Sequence, residues 1–353
     1  MADPPPIPPN LQRLTIICPS WVGDIVMATP VFRAARAALP EATITALLRP
    51  GLEEILHGSP FFDHLEPCSM KGFSGPLHAG KVIKKHHPEA VLLLPNSFRA
   101  ALTARFSSSP IRIGYKRDGR GFLLTHPLDI KISNIPTPAV EYYLHLARFA
   151  FGQKNLDPTL ELHLTDHENQ ESARLLFTED GVLGIDRPFI LLNPGANRED
   201  KRWPAARFAR IAEALHHRGY AIAITGSPPE KDLLDSIVNS SASPILNLAQ
   251  RGLSLGSLKA VIKRAELLIT NDTGPRHLAA ALGTPTVVLF GPTDHRWTTL
   301  PHAREHLLLA EPFLPEDLAA DFYPDLCTVD RITVGDVLAA AEKLLPAPVS
   351  SSP

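Results

Sequence analysis

The chain lacks much of what would assign it to a common functional class. It has three cysteines in 353 residues, Cys18, Cys68 and Cys327, far apart and forming no CxxC pair. That argues against a disulfide framework or a zinc knuckle and fits a reducing compartment. Neither charge dominates: 35 lysines and arginines face 37 aspartates and glutamates, a formal net charge of −2. A global basic field for nucleic acid is therefore missing, although local patches remain open. No apolar run is long and uncharged enough to cross a bilayer, so any membrane role is peripheral. The opening MADPPPIPPN has neither a basic nor an apolar signal region. Its prolines predict a stiff, disordered leader over residues 1–12. No GxGxxG follows the first strand-like run, and no HExxH or GxSxG occurs. A dinucleotide dehydrogenase, a zinc protease and an elbow hydrolase lose their usual signatures. Gly75, Gly80 and Lys81 have P-loop spacing, but Val82 stands where the magnesium-binding hydroxyl belongs and no strand precedes them.

What is present is an alternation. Hydrophobic residues make up 44% and charged residues 20% of the chain, the mix of a globular protein long enough for two domains. Strands are predicted at LTIICPS (14–20), TITALLRP (43–50), AVLLLPNS (90–97) and IRIGYK (111–116). A second series follows at FILLNPGA (189–196), YAIAITGS (220–227), LLITND (267–272) and TVVLFGP (286–292). Helical periodicity lies between them, over 23–39, 203–219, 257–265 and 275–283. Pro30 predicts a kink or a late start in the first of these helices. Strand, helix, strand throughout implies α/β folding with parallel, doubly wound sheets. The expected organisation is a first domain over 13–165, a linker over 166–187, a second domain over 188–332, a terminal helix over 333–346 and a tail over 347–353.

Open parallel sheets bind ligands beyond the carboxyl ends of their strands. After the first strand, PSWVGDIVM brings Asp24 to a helix start. It is either a first-turn acid or a carboxylate able to take a proton from a hydroxyl. After the strand at 189–196, ANREDKRW supplies Asn197 and Lys201, a solvated charge run or a phosphate contact. After YAIAITGS comes Glu230, a helix acid or a ribose acceptor. LLITNDTGPRH then delivers Asp272, Thr273, Gly274, Arg276 and His277 to a strand end just before a helix. Gly274 allows close backbone approach, and the helix start favours a phosphate. A capped turn would explain Asp272 and Gly274, but not the hydroxyl, cation and imidazole beside them.

Three segments resemble the heptosyltransferases of lipopolysaccharide core synthesis, glycosyltransferase family 9, in order and over nearly the whole chain. They are PSWVGDIVMATPVFRAAR, LLNPGANREDKRWPAARFARIAEAL and NDTGPRHLAAALGTPTVVLFGPTDHRWT. The resemblance implies a GT-B architecture of two Rossmann-like domains facing across a cleft, the first for the acceptor and the second for the nucleotide-sugar. It implies transfer of a heptose from ADP-heptose to an inner-core sugar with inversion, with no bound metal and no cofactor. By the same resemblance Asp24 is the general base, Lys201 holds the diphosphate and Glu230 contacts the nucleoside. Asp272 grips the donor sugar, while Thr273 and Gly274 cradle the diphosphate and His277 completes the signature. Asn197 is a donor-side position that departs from the hydroxyl pair of some members. Arg276 departs too, and implies either a donor contact or a salt bridge to Asp272 or Asp294. The ending LCTVDRITVGDVLAAAEKLL resembles the second-heptose enzymes, whose terminal helix packs back on the first domain.

On the acceptor side, KVIKKHH (81–87) and YKRDGRG (115–121) are solvated surface or contacts to anionic sugars, lipid phosphates or the inner leaflet. The second stretch nominates Lys116, Arg117 and Arg120 for the acceptor. The implied partners are a nucleotide-sugar and a lipid-linked core oligosaccharide, without nucleic acid, in a cytoplasmic enzyme with peripheral contact to the inner membrane open. The alternatives are a nonhydrolysing sugar-nucleotide epimerase of the same fold, a family 9 transferase with another nucleotide-sugar, and a scaffold with a vestigial site.

Overall fold

The computed structural model describes residues 4–130, 136–177, 187–310, 314–315 and 318–345. By contact density the described chain divides into two compact units, mainly before and after His163, with Thr298–Pro301 grouped with the first and Pro136 with the second. The first contains β1 (Arg13–Ile17), α1 (Val22–Met27), α2 (Thr29–Ala38), β2 (Thr43–Leu48), β3 (His64–Pro67) and α3 (Gly75–Lys84). It continues with β4 (Ala90–Leu93), α4 (Phe98–Phe106), β5 (Ile111–Tyr115), β6 (His126–Leu128) and α5 (Ala139–Phe151). These strands form one parallel sheet in the order β3-β2-β1-β4-β5-β6. The inner strands are buried on both faces, which is why they read as unbroken apolar runs.

Helix formation in this unit follows local chemistry. The single helix expected over 23–39 is two. The chain turns at Ala28, and Pro30 falls in the first turn of α2, where its missing N–H costs little. The P-loop-like glycines are packing residues. A Cβ on Gly80 would lie 2.5 Å from Phe106 Cβ on α4, and one on Gly75 would lie 2.6 Å from the Met70 carbonyl carbon. The disordered leader expected over 1–12 is corrected for its described part. Ile7 and Leu11 are buried, and the Ile7 N–H donates to the Ala150 carbonyl at 3.1 Å. Residues 1–3 lie outside the described residues.

The second unit contains α6 (Asp166–Leu176), β7 (Phe189–Asn193), α7 (Ala205–His217), β8 (Ala221–Ile224), α8 (Lys231–Ser240) and β9 (Leu246–Asn247). After these come α9 (Leu255–Arg264), β10 (Leu267–Asn271), α10 (Gly274–Leu282), β11 (Thr286–Phe290), β12 (Glu305–Leu309) and α11 (Val334–Leu344). Its sheet is again parallel, in the order β12-β11-β10-β7-β8-β9.

Parts of the expected linker and the terminal helix both supply elements of this unit. The first half of the expected linker is α6, an element of this unit. A capping box between Thr165 and Glu168 starts it, and Glu168 pairs at 2.9 Å with the fully buried Lys259 of α9. Residues 178–186 lie outside the described residues. The terminal helix enters the core of this unit. Val337, Ala340 and Ala341 of α11 enter one core with Phe208, Ile211 and Leu215 of α7 and Val287 and Leu289 of β11. The predicted tail over 347–353 lies outside the described residues.

Candidate active site

The richest polar cluster of the second unit forms at the carboxyl ends of β7 and β10. Asn271, the last residue of β10, is fully buried. Its amide donates to the Pro194 carbonyl at 2.8 Å, and its oxygen accepts the Trp203 N–H at 3.2 Å. One side chain thus fastens both ends of the loop between β7 and α7. Asn193, ending β7, donates to Thr270 at 2.9 Å and to the Thr273 hydroxyl at 3.1 Å. The Thr273 hydroxyl is therefore engaged by the strand ends. Gly274 then opens α10, with Pro275 in its first turn.

Asp272 sits at this joint with its side chain 10% exposed. Lys201 reaches its Oδ2 at 3.1 Å, and Arg276 reaches its Oδ1 at 3.0 Å. Thr293 donates to Oδ2 at 3.3 Å. Burial alone would raise the carboxyl pKa, but the ammonium of Lys201 and the guanidinium of Arg276 hold it below the usual range. Asp272 is thus an ionised acceptor at neutral pH. Lys201, 71 residues away in sequence, is 14% exposed and has further N–H donors to offer.

Arg276 turns into the protein interior. It is fully buried, and its Nε and Nη2 grip the two Glu305 oxygens at 2.9 Å each while its guanidinium lies 4.8 Å from the Phe290 ring centre. The donor contact proposed for it is replaced by the salt bridge to Asp272, with Glu305 of β12 as second partner. Asp294 is not that partner, since it pairs with Arg296 at 2.7 Å. His277 is buried, and burial followed by the nearby Arg276 charge pushes its pKa down to about 3, so the ring is neutral. Among the described residues its Nδ1 has no hydrogen-bond partner.

The other donor-side candidates are more loosely gathered. Glu230 closes a capping box with Ser227, accepting the backbone N–H at 2.7 Å and the hydroxyl at 2.7 Å through Oε2. The bland reading of a helix-start acid therefore holds, and its carboxylate also lies against Gly195, where a Cβ would sit 2.2 Å from Oε1. Asn197 is exposed on the following loop, and among the described residues no hydrogen bond joins it to the Asp272 cluster. Arg202 braces that loop by donating twice to the Ala196 carbonyl, at 2.9 and 3.1 Å.

In the first unit Asp24 lies in the first turn of α1, beyond the carboxyl end of β1. Tyr143 of α5 donates its phenol proton to Asp24 Oδ1 at 3.2 Å. Burial raises the Asp24 pKa, and the tyrosine hydrogen bond partly offsets that rise. A half-buried carboxylate with elevated basicity is suited to accept a proton.

The acceptor-side trio separates. Lys116 is exposed and pairs with Asp129 at 3.5 Å. Arg117 is half-buried beside the Tyr142 phenol. Arg120 is corrected: it is fully buried, donates to the carbonyls of Pro95, Ser97 and Tyr115, and holds the loop after β4 in place. Desolvation pushes its pKa down to about 10, so it stays charged.

A sequence model of glycosyltransferase family 9 (heptosyltransferase) matches residues 77–316. The chain belongs to glycosyltransferase family 9. Lipopolysaccharide heptosyltransferase 2 of Salmonella typhimurium is 29% identical over 302 residues, 81% of this chain and 85% of that protein. The solved ADP-heptose lipopolysaccharide heptosyltransferase II of Escherichia coli superposes with a TM-score of 0.78 at 25% identity, covering 94% of this chain and 98% of the other. A family 9 glycosyltransferase from Veillonella parvula superposes at 0.80 and 22% identity, covering 95% and 97%. The transferase therefore has the α/β, two-sheet GT-B fold expected from its sequence. Lys201, Glu230 and the Asp272 cluster all lie within the matched segment.

Sequence reasoning missed three residues that matter to this geometry. Tyr143 and Glu305 carry no local signal, because each meets its partner only through the fold. Asn271 did carry one, as a polar residue ending an otherwise apolar strand.

Proposed function

We propose that this transferase moves a heptose from ADP-heptose to an inner-core sugar of lipopolysaccharide, inverting the anomeric centre without a metal. The observation that carries the reading is the assembly of Lys201 and Asp272 at one pair of strand ends from positions 71 residues apart. Asp24 takes the proton of the acceptor hydroxyl as that oxygen bonds to the anomeric carbon. The bond to the ADP oxygen breaks on the opposite face, and the electron pair leaves with the diphosphate. Asp272, kept ionised, accepts hydrogen bonds from the donor sugar. Lys201 and the first N–H groups of α10 meet the charge that develops on the departing diphosphate. Similarity to heptosyltransferase 2 favours the second-heptose reaction over other acceptors. The lipid-linked acceptor and the basic first unit favour peripheral contact with the inner leaflet, in a cytoplasmic enzyme.

The test separates chemistry from binding. Asp24→Asn should lower turnover by roughly 10²–10⁴-fold, the usual worth of a general base, while leaving ADP-heptose affinity within a few-fold. Near-normal turnover would remove Asp24 from the chemistry. ADP should raise the melting temperature more than UDP or GDP at equal concentration, since only a ligand of the native state stabilises it. A preference for another diphosphate would reassign the donor.

A further inference from the structure

Among the described residues the carboxylate of Asp24 has one hydrogen-bond partner, and that partner lies 119 residues away on another element. Tyr143 of α5 is buried, and its hydroxyl points at Asp24 Oδ1 with an O···O separation of 3.2 Å. Among the described residues Oδ2 receives no hydrogen bond. The phenol is boxed in by its own neighbours. The Tyr142 ring meets it edge-on at 5.9 Å, and the Cys18 thiol at the end of β1 lies close by. Among the described residues the titratable groups beside the pair are thus one tyrosine, Tyr142, and one thiol, Cys18, and neither is a cation that would hold the acid ionised.

We infer that Tyr143 is a positioning residue for the transfer reaction, fixing Asp24 so that Oδ2 is presented to the acceptor hydroxyl. This rests on the reading of Asp24 as the base. An aspartate side chain rotates over a broad, roughly two-fold torsional well, so without a partner its two oxygens exchange places freely. A donated hydrogen bond selects one orientation, and it stabilises the ionised form that must be present before a proton can be taken. Burial of the carboxylate works the other way, raising its basicity. Tyr143 sets the balance between a base strong enough to act and one already protonated.

The experiment is the pH profile of kcat/KM for full-length Tyr143→Phe, alongside donor affinity and melting temperature. Removing the donor lets the Asp24 pKa rise. The acid limb should therefore move to higher pH by about half a unit to one unit. The plateau kcat should fall roughly tenfold while the Kd for ADP-heptose stays put. An unmoved acid limb in a folded variant would overturn the inference, whatever its kcat. If Phe at 143 prevents folding, 3-fluorotyrosine at that position keeps the shape and donates a stronger bond. The limb should then move to lower pH, and an unmoved limb overturns the inference. The two readings fail separately: intact turnover in Asp24→Asn removes the base itself, whereas a dead Asp24→Asn with an unmoved limb in Tyr143→Phe removes only the positioning role.

Discussion

His277 and Arg276 show how burial decides what a polar residue can do in the fold. Both stand in the motif that drew attention to NDTGPRH, and both are buried. Arg276 commits its planar fork to Glu305 and its remaining end to Asp272, so it orients the acid. His277 stays neutral in the fold, with its pKa pushed to about 3, whereas an imidazole in the unfolded chain takes a proton near pH 6.5. Between those values the unfolded chain binds more protons, so this contribution to stability is fully present above pH 6.5 and shrinks as the pH falls toward 3. Asp272, held below the usual carboxylate range, loses its contribution only at lower pH, beneath about 3.9. The melting temperature of the native chain should therefore drop between pH 7 and 5, before most carboxylates titrate. His277→Gln should flatten that slope in a thermal denaturation series. An identical slope in the two proteins would show that the imidazole gains a proton in the fold.

At the scale of elements, the joint between β10 and α10 depends on Asn271, which holds the loop after β7 from both ends. Asn271→Ala leaves a buried carbonyl and a buried N–H without their partner and should cost about 1–3 kcal/mol in urea denaturation. Nucleotide affinity should fall with it, because Lys201 rides on that loop. Val337→Ala opens a cavity under α11 and should cost about 2 kcal/mol. Nucleotide affinity should not change there. The eight strands legible in the sequence are the inner four of each sheet. The four that escaped notice, β3, β6, β9 and β12, are the four edges. Inner strands are covered by neighbours on both faces and are therefore mostly apolar. Edge strands are short or half-exposed, as in HLEP and EHLLL, and carry no such pattern. The site divides in the same way. Lys201 and Asp272 in the second unit, and Asp24 in the first, could each be nominated because a parallel sheet puts its ligand groups just after strand ends. Arg120 could not be told from a surface arginine, since its burial is decided by the loop it clamps. The docking of α11 depended on which core had room for Val337, a tertiary fact with no local trace.

At the scale of the whole molecule, the charge is near balance only in the sum. Residues 68–128 carry ten lysines and arginines against two acids, in a chain whose formal net charge is −2. The same stretch exposes Phe73, Leu77, Phe98 and Phe122, and the Phe98 and Phe122 rings lie 6.1 Å apart. Exposed aromatics in a stretch with a surplus of cations suit an interface between anionic headgroups and acyl chains, where the rings lose water and the exposed cations meet phosphate. An enzyme whose acceptor is lipid-linked gains from such a surface, because it searches in two dimensions. The full-length protein should therefore sediment with phosphatidylglycerol-containing vesicles and stay in solution with pure phosphatidylcholine. Raising the salt from about 0.1 M to about 0.5 M should release much of it, as screening weakens the ionic part. Phe98→Ser with Phe122→Ser should weaken vesicle binding even at low salt, by removing the apolar part. If that double variant binds vesicles normally but shows a higher KM for the acceptor, the rings serve the acceptor saccharide and the bilayer contact is purely electrostatic. If the native protein ignores anionic vesicles at low salt, the membrane reading fails and the basic stretch belongs to the acceptor alone.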